Sequence, residues 1–285
     1  MNTLTQSAAV GATPARRSKK PTRMRLDSVA GRLLIQFLMV SAVLGLWQAG
    51  VWLGWISSFM VGSPLEIAVV LKNGLLSGKI LVDTGYTVLE ALLGFVLGTL
   101  AGSALGLYLW YSPFVARLTE PFLIAINSVP KIAFGPIVIL WFGTGLVSKV
   151  ALAVSLTSIV ALIAAYQAAK NADADLHALL LTLGGNKNKV FFNLIVPSTL
   201  PAIIATFHIN IGFGLVGAVV GEFISSEKGL GHMIFTASGL YDLNSVWAGL
   251  FMLMVVGFIL YYVVDAIERR LLPWKEAVAG SSLRV

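Results

Sequence analysis

Cysteine is absent from the 285 residues, which excludes disulfides, thiolate nucleophiles and cysteine metal sites. Charge is scarce as well. Asp, Glu, Lys and Arg make up 12% of the chain, about half the usual share of a soluble domain. So few charged groups cannot give a fold of this length a polar skin, and a water-soluble globule is excluded. Histidine occurs only as His177, His208 and His232, too scattered to suggest a metal site. Gly-x-Ser-x-Gly elbows, His/Glu metal spacings and convergent acidic pairs are all missing, so no residues stand out as catalytic. The nearest phosphate-loop string, residues 74–80, has one residue too few between its glycines and no Ser or Thr after Lys79.

What the chain does have is apolar length. Apolar residues make up 57% and mean hydropathy is +0.87. Stretches near 33–55, 87–111, 121–143, 148–169, 199–224 and 245–268 are each long enough to cross about 30 Å of hydrocarbon at about 1.5 Å per residue. Backbone groups in lipid must satisfy one another, so the spans are expected to be helices. The short alternating strands of a barrel are missing. The reading is an all-α integral membrane protein of about six transmembrane helices.

Basic residues set the expected orientation. Arg16, Arg17, Lys19, Lys20, Arg23, Arg25 and Arg32 crowd into the stretch before the first span. This is the mark of a cytoplasmic arm rather than a nucleic-acid patch, because a long apolar run follows at once. That run is too long for the core of a cleaved signal peptide. With the N-terminus inside, Arg117, Lys170, Lys187, Lys189, Arg269, Arg270, Lys275 and Arg284 also fall inside. Only Lys72, Lys79, Lys149 and Lys228 fall outside. Both termini are therefore expected in the cytoplasm. The organisation reads as a disordered basic arm over 1–31, a transmembrane domain over 32–275 with its core at about 84–270, and a cytoplasmic tail over 276–285.

Inside the spans, Gly94, Gly98, Gly102 and Gly106 recur every fourth residue and make one glycine face, along which another helix can approach closely. Gly214, Gly217 and Gly221 repeat the theme. Pro121, Pro130 and Pro136 should break the third span. Lys131 sits beside that break, either lining a water-filled path or snorkelling to head groups. Pro130, Lys131, His208 and Glu222 are the candidates for a translocation path. An interfacial position suits both Glu222 and Glu90, and a hydrogen-bonded core position suits His208.

The loop after the fourth span is itself helix-patterned. Asp173 or Asp175 can cap a short helix. Leu176, Leu179, Leu180 and Leu183 then fall on one side, and Gly184-Gly185 ends it. A second basic segment opens at Lys187 and Lys189 and is expected to stop at Pro197, with the next span starting beyond. An exposed apolar face of this kind fits a partner protein. This loop resembles the cytoplasmic coupling loop of permease subunits of bacterial ABC importers. That family's pattern is Glu-Ala-Ala, three residues, Gly, nine residues, Ile, any residue, Leu-Pro. Gly184 and Pro197 match at the right separation, and Leu194 and Val196 stand for the Ile and Leu. Ala178, Leu179 and Leu180 replace Glu-Ala-Ala, so the acidic residue is missing. The residues at 61–67, 128–145 and 221–234 resemble the branch that imports sulfonates, taurine, nitrate and similar solutes. The resemblance runs over nearly all the chain after residue 32.

The resemblance implies a permease subunit in a bacterial inner membrane. It would pair with a second copy as a homodimer and carry the path for a solute delivered by an external substrate-binding protein. A cytoplasmic ABC ATPase subunit would grip the loop through Asp175, Leu176, Ala178, Leu179, Leu180, Leu183, Gly184, Leu194, Val196 and Pro197. ATP and Mg would sit on that ATPase, leaving this chain with no cofactor and no metal. The competing reading is a secondary transporter driven by an ion gradient. It expects repeated halves and midplane carboxylates, which the sequence does not display.

Overall fold

A computed structural model describes residues 29–273. The expected arm before Val29 and the tail 276–285 lie outside the described residues, as do Lys275 and Arg284. Among the described residues every regular element is helical. In chain order these are α1 (Val29–Trp52), α2 (Ser58–Val61), α3 (Pro64–Leu76), α4 (Lys79–Tyr111), α5 (Pro113–Ser128), α6 (Gly135–Phe142), α7 (Leu146–Lys170), α8 (Ala174–Thr182), α9 (Lys187–Val190), α10 (Val196–Ala205), α11 (Phe207–Ile224), α12 (Leu230–Gly239) and α13 (Leu243–Leu271).

The chain divides at Ala49–Gly50 into two units. The first holds most of α1, whose Leu33, Phe37 and Met39 are exposed. Over Gly31–Trp52 its mean hydropathy is 1.7, a surface made for lipid rather than water. The second unit is built on α4, α7 and α11. α4 and α7 run parallel, with Gly94 against Ala153 and Gly106 against Leu162 and Ala165. α11 crosses both antiparallel, its Gly214 on Ala91, Gly217 on Ala153 and Gly221 on Lys149. The glycine face of α4 is therefore a seam inside the chain. Apolar attraction is weak between helices in lipid, so close packing and internal hydrogen bonds hold them. Thr157 Oγ1 donates to the Gly94 carbonyl at 3.0 Å, and Asn210 Nδ2 donates to Thr99 Oγ1 at 2.9 Å. On the far side, Ile80, Phe95, Ile211, Leu230, Val256, Leu260 and Val264 form the largest apolar core.

Among the described residues six helices are long and apolar enough to cross a membrane: Gly31–Trp52, Lys79–Tyr111, Leu146–Lys170, Lys187–Ala205, Phe207–Ile224 and Leu243–Leu271. Two expected spans differ in detail. The third is a bent pair, Pro113–Ser128 and Lys131–Phe142, meeting at 93°. A residue before proline is driven out of the helical region, and Val129, ahead of Pro130, is extended at ψ 132°. A 3₁₀ turn at Lys131–Phe134 follows before α6. The fifth expected span, 199–224, begins earlier, at Lys187. Pro197 does not stop the helix. A π-helical turn at Phe191–Ile195 widens the coil just before it, leaving room for the proline ring and its missing N–H. The division comes instead at Thr206, between α10 and α11.

Candidate functional site

Two places gather the residues singled out by the sequence. The first is the loop carrying α8. Asp173 caps the helix, its Oδ1 accepting from the N–H groups of Asp175 at 2.8 Å and Leu176 at 3.2 Å. At the other end Gly184 takes φ +78°, its N–H donating to Leu181 O and that of Gly185 to Leu180 O. These are the paired bonds of a glycine stop. Asn186 then caps α9 by accepting from Lys189 N at 2.9 Å. The turn is thus locally determined and closed without help from a partner.

The apolar face divides. Leu176, Leu179 and Leu183 are exposed at 47%, 52% and 75%, as are Asp175, Ala178, Gly184 and Pro197. Leu180, expected on the same side, turns inward and is half-buried, and Leu194 is buried. They join a core of Ala169, Val190 and Ile195, backed by Leu107, Trp110 and Phe191. Leu180 lies one position round the helix from Leu179, enough to move it from the outer to the inner face. Val196 is half-buried.

Aromatic rings that the sequence reading passed over hold this loop to the end of α4. Trp110 stacks on Phe191 at 5.8 Å and meets His177 edge-on at 6.3 Å. Tyr111 packs against Phe191 at 5.4 Å, carries Lys187 over its ring at 4.8 Å and donates from its hydroxyl to Asn188 Oδ1 at 2.6 Å. The signal was present in the sequence as an aromatic pair ending a span and a Phe191-Phe192 pair in the loop.

The second place is the opposite end of the bundle. Glu222 and Glu90, for which an interfacial position was expected, are packed inside the protein at that end, 1% and 2% exposed. Lys149, assigned to an outer segment by charge counting, is also buried, its ammonium donating to the carbonyls of Thr144 at 2.9 Å and Gly145 at 3.3 Å. Glu222 is held on both oxygens: Thr87 Oγ1 donates to Oε1 at 2.7 Å, and the Gly231 N–H donates to Oε2 at 2.6 Å. Asp83 Oδ1 accepts from Gly229 N at 3.0 Å, and Thr87 Oγ1 from Leu230 N at 2.9 Å. Three consecutive N–H groups at the start of α12 are thereby satisfied by side chains of α4 and α11, where negative charge suits a helix start. The glycines are obligatory here. A Cβ on Gly231 would stand 2.7 Å from Glu222 Oε2 and one on Gly229 would strike the same carboxyl, whereas bare glycine lets the chain pass.

The four path candidates are not brought together. Pro130 is exposed at the 93° bend. Lys131, beside it, donates to Asn127 Oδ1 at 3.3 Å. His208 lies against Tyr261, ring centroids 4.5 Å apart, with Nδ1 3.0 Å from Glu268 Oε2. Glu222 is held instead by Thr87 and Gly231. No group of three or more His, Cys, Asp or Glu suited to a metal occurs among the described residues.

The described residues thus form a multi-pass helical bundle with a self-capped loop at one end and a buried polar cluster at the other. Residues 94–273 match the family described as "Binding-protein-dependent transport system inner membrane component", and the chain belongs to it. A Bacillus subtilis protein described as an aliphatic sulfonates transport permease, SsuC, is 30% identical over 92% of this chain and 93% of its own length. The formylaminopyrimidine transport permease ThiX of Halalkalibacterium halodurans is 32% identical over 78% of this chain and 90% of its own. The taurine transport permease TauC of Escherichia coli is 25% identical over 82% and 87%. Among solved structures, an inward-facing MetNI methionine ABC transporter chain superposes with a TM-score of 0.60 at 14% identity. The match covers 68% of this chain and 97% of that one, a likeness of fold. The chain is thus a permease subunit of an ABC-type importer.

Proposed function

We propose that this permease works as one of two identical copies, driven from the cytoplasm by a separate ABC ATPase subunit that holds ATP and Mg and grips α8. The solute is small, a sulfonate or taurine-like molecule handed over by a binding protein docked at the α3–α12 end. The termini and α8 then face the cytoplasm, in keeping with the basic residues Arg117, Lys170, Lys187 and Lys189 near that end. The basic arm over 1–31, the transmembrane domain over 32–275 and the tail over 276–285 keep their assigned sides. One observation carries the reading. The Leu176, Leu179 and Leu183 face is presented to solvent by a helix that its own caps and the Trp110 platform already hold rigid. A rigid peg with an apolar face transmits movement between packed bodies.

The absence of cysteine makes the test direct. Leu183→Cys should react with a membrane-impermeant maleimide in inverted vesicles and not in intact cells. Reconstituted with an ABC ATPase subunit and an external binding protein, the chain should take up taurine only while ATP is hydrolysed. Labelling from outside, or uptake that survives loss of ATP and collapses with an ionophore, overturns the proposal in favour of a gradient-driven carrier.

A further inference from the structure

A cavity of about 660 Å³ opens at the end where α12 begins, lined by Tyr86, Glu90, Lys149, Glu222, Glu227 and Lys228 among others. Its charged groups are unevenly supplied with partners. Lys149 has two carbonyls and Glu222 has Thr87 and Gly231. Glu90 is 2% exposed, yet its Oε2 is buried without any hydrogen-bond partner. Its carboxyl also lies against that of Glu222, with Lys149 near enough to act on both. Two carboxyls therefore share one ammonium, and the bonds that satisfy Glu222 leave Glu90 short of a donor. A buried acceptor left unpaired costs about 1–3 kcal/mol, more for a charged group. Such a vacancy in a cavity wall is a place for a ligand's N–H.

We propose that Glu90 is the partner of an amino or ammonium group of the transported solute, with Glu90 Oε2 accepting its hydrogen bond and Lys228 at the rim facing the solute's acidic end. Lys228 is exposed and already leans on Tyr86, its Nζ 4.9 Å above the ring, so the rim can turn toward an anion entering the cavity. The site discriminates small zwitterions and amines from plain anions. An anion alone brings no donor to Glu90 Oε2, while an ammonium supplies the missing donor in charge-assisted form. This rests on the importer reading and narrows its solute.

The test uses the full chain in nanodiscs, titrated calorimetrically with taurine and with ethanesulfonate, which lacks only the amino group. Taurine should bind at least about tenfold more tightly, a difference of about 1.4 kcal/mol. Glu90→Gln should remove that preference while Lys228→Ala weakens both probes. The wild-type comparison decides even if a variant fails to fold. No taurine binding, equal affinities, or an undiminished preference in folded Glu90→Gln would each overturn the proposal, and the pocket would then hold only water or a proton. ATP-dependent uptake of ethanesulfonate at the taurine rate, unchanged by Glu90→Gln, would overturn it while leaving the importer reading standing.

Discussion

The seam between α4 and α7 and the loop around α8 both depend on glycine, for opposite reasons. Along the seam the glycines have ordinary helical backbones, and what they lack is room. A Cβ on Gly98 would meet Thr157 Cβ at 3.0 Å and Val154 Cα at 3.1 Å, and one on Gly102 would meet Ser158 Cα at 2.9 Å. At Gly184 the space is empty within 4 Å, and the constraint is its φ of +78°. One set of glycines permits an approach between helices and the other permits a turn. The first is a property of the assembled bundle and the second of a few residues of chain.

The largest expected effect separates the two. Gly102→Leu drives a side chain into the backbone of α7, which cannot swing aside as a flexible side chain can. Overpacking of this kind costs about 1–3 kcal/mol and occasionally more. We expect the detergent-solubilised chain to lose most of its monodisperse fraction and its thermal midpoint to fall sharply. Even Gly102→Ala should lower it measurably. Retention of the wild-type midpoint in Gly102→Leu would show that α4 and α7 separate freely, and the seam would not be a rigid unit.

Gly184→Val should behave differently. A β-branched residue in the left-handed region costs about 1–2 kcal/mol, but nothing surrounds it to be displaced. The bundle midpoint should stay within error of wild type while co-purification of the ATPase falls. Gly184→Asn should restore it, since asparagine accepts that conformation, whereas Gly102→Asn should rescue nothing. If both positions respond alike to Asn and Ala, the distinction between space and backbone conformation fails.

The same contrast explains what could be read in advance. The Asp173 cap and the Gly184-Gly185 stop were legible because their bonds span only a few residues, and side-chain chemistry at that range is written in order along the chain. The fourfold spacing of Gly94 to Gly106 disclosed a close-packed face through helical geometry, though not that α7 would occupy it. Leu180 was misplaced because a helical stripe cannot show where the outer face ends and the inner begins; the core beneath, formed by Ala169 and Ile195, decides that. Local rules make Pro197 a stop, and the π turn before it is a tertiary accommodation. Glu90 and Glu222 stand near the ends of apolar runs and Lys149 in an expected outer segment, and nothing local marks them as buried. Their burial depends on partners such as Thr87, 135 residues from Glu222, which no local pattern reveals.

Tyr111 joins the two regions, and the smallest expected effect falls there. It ends the helix that carries the seam glycines, and its hydroxyl holds Asn188 at 2.6 Å just beyond the glycine stop. Tyr111→Phe keeps the ring against Phe191 and beneath Lys187 and removes only that bond, which contributes about 0.5–1.5 kcal/mol. The global midpoint should therefore hardly move. Amide exchange across 186–195 should quicken, because the loop keeps its apolar anchors and loses its polar one. In the reconstituted importer ATP hydrolysis should persist while solute moved per ATP declines. A loop joined to α4 by rings alone can slide on them, whereas the hydrogen bond fixes register. Were uptake per ATP unchanged, the stacked rings of Trp110 and Phe191 would suffice to carry α8's displacement into α4, and the seam and the loop would be coupled by shape and not by the polar contact.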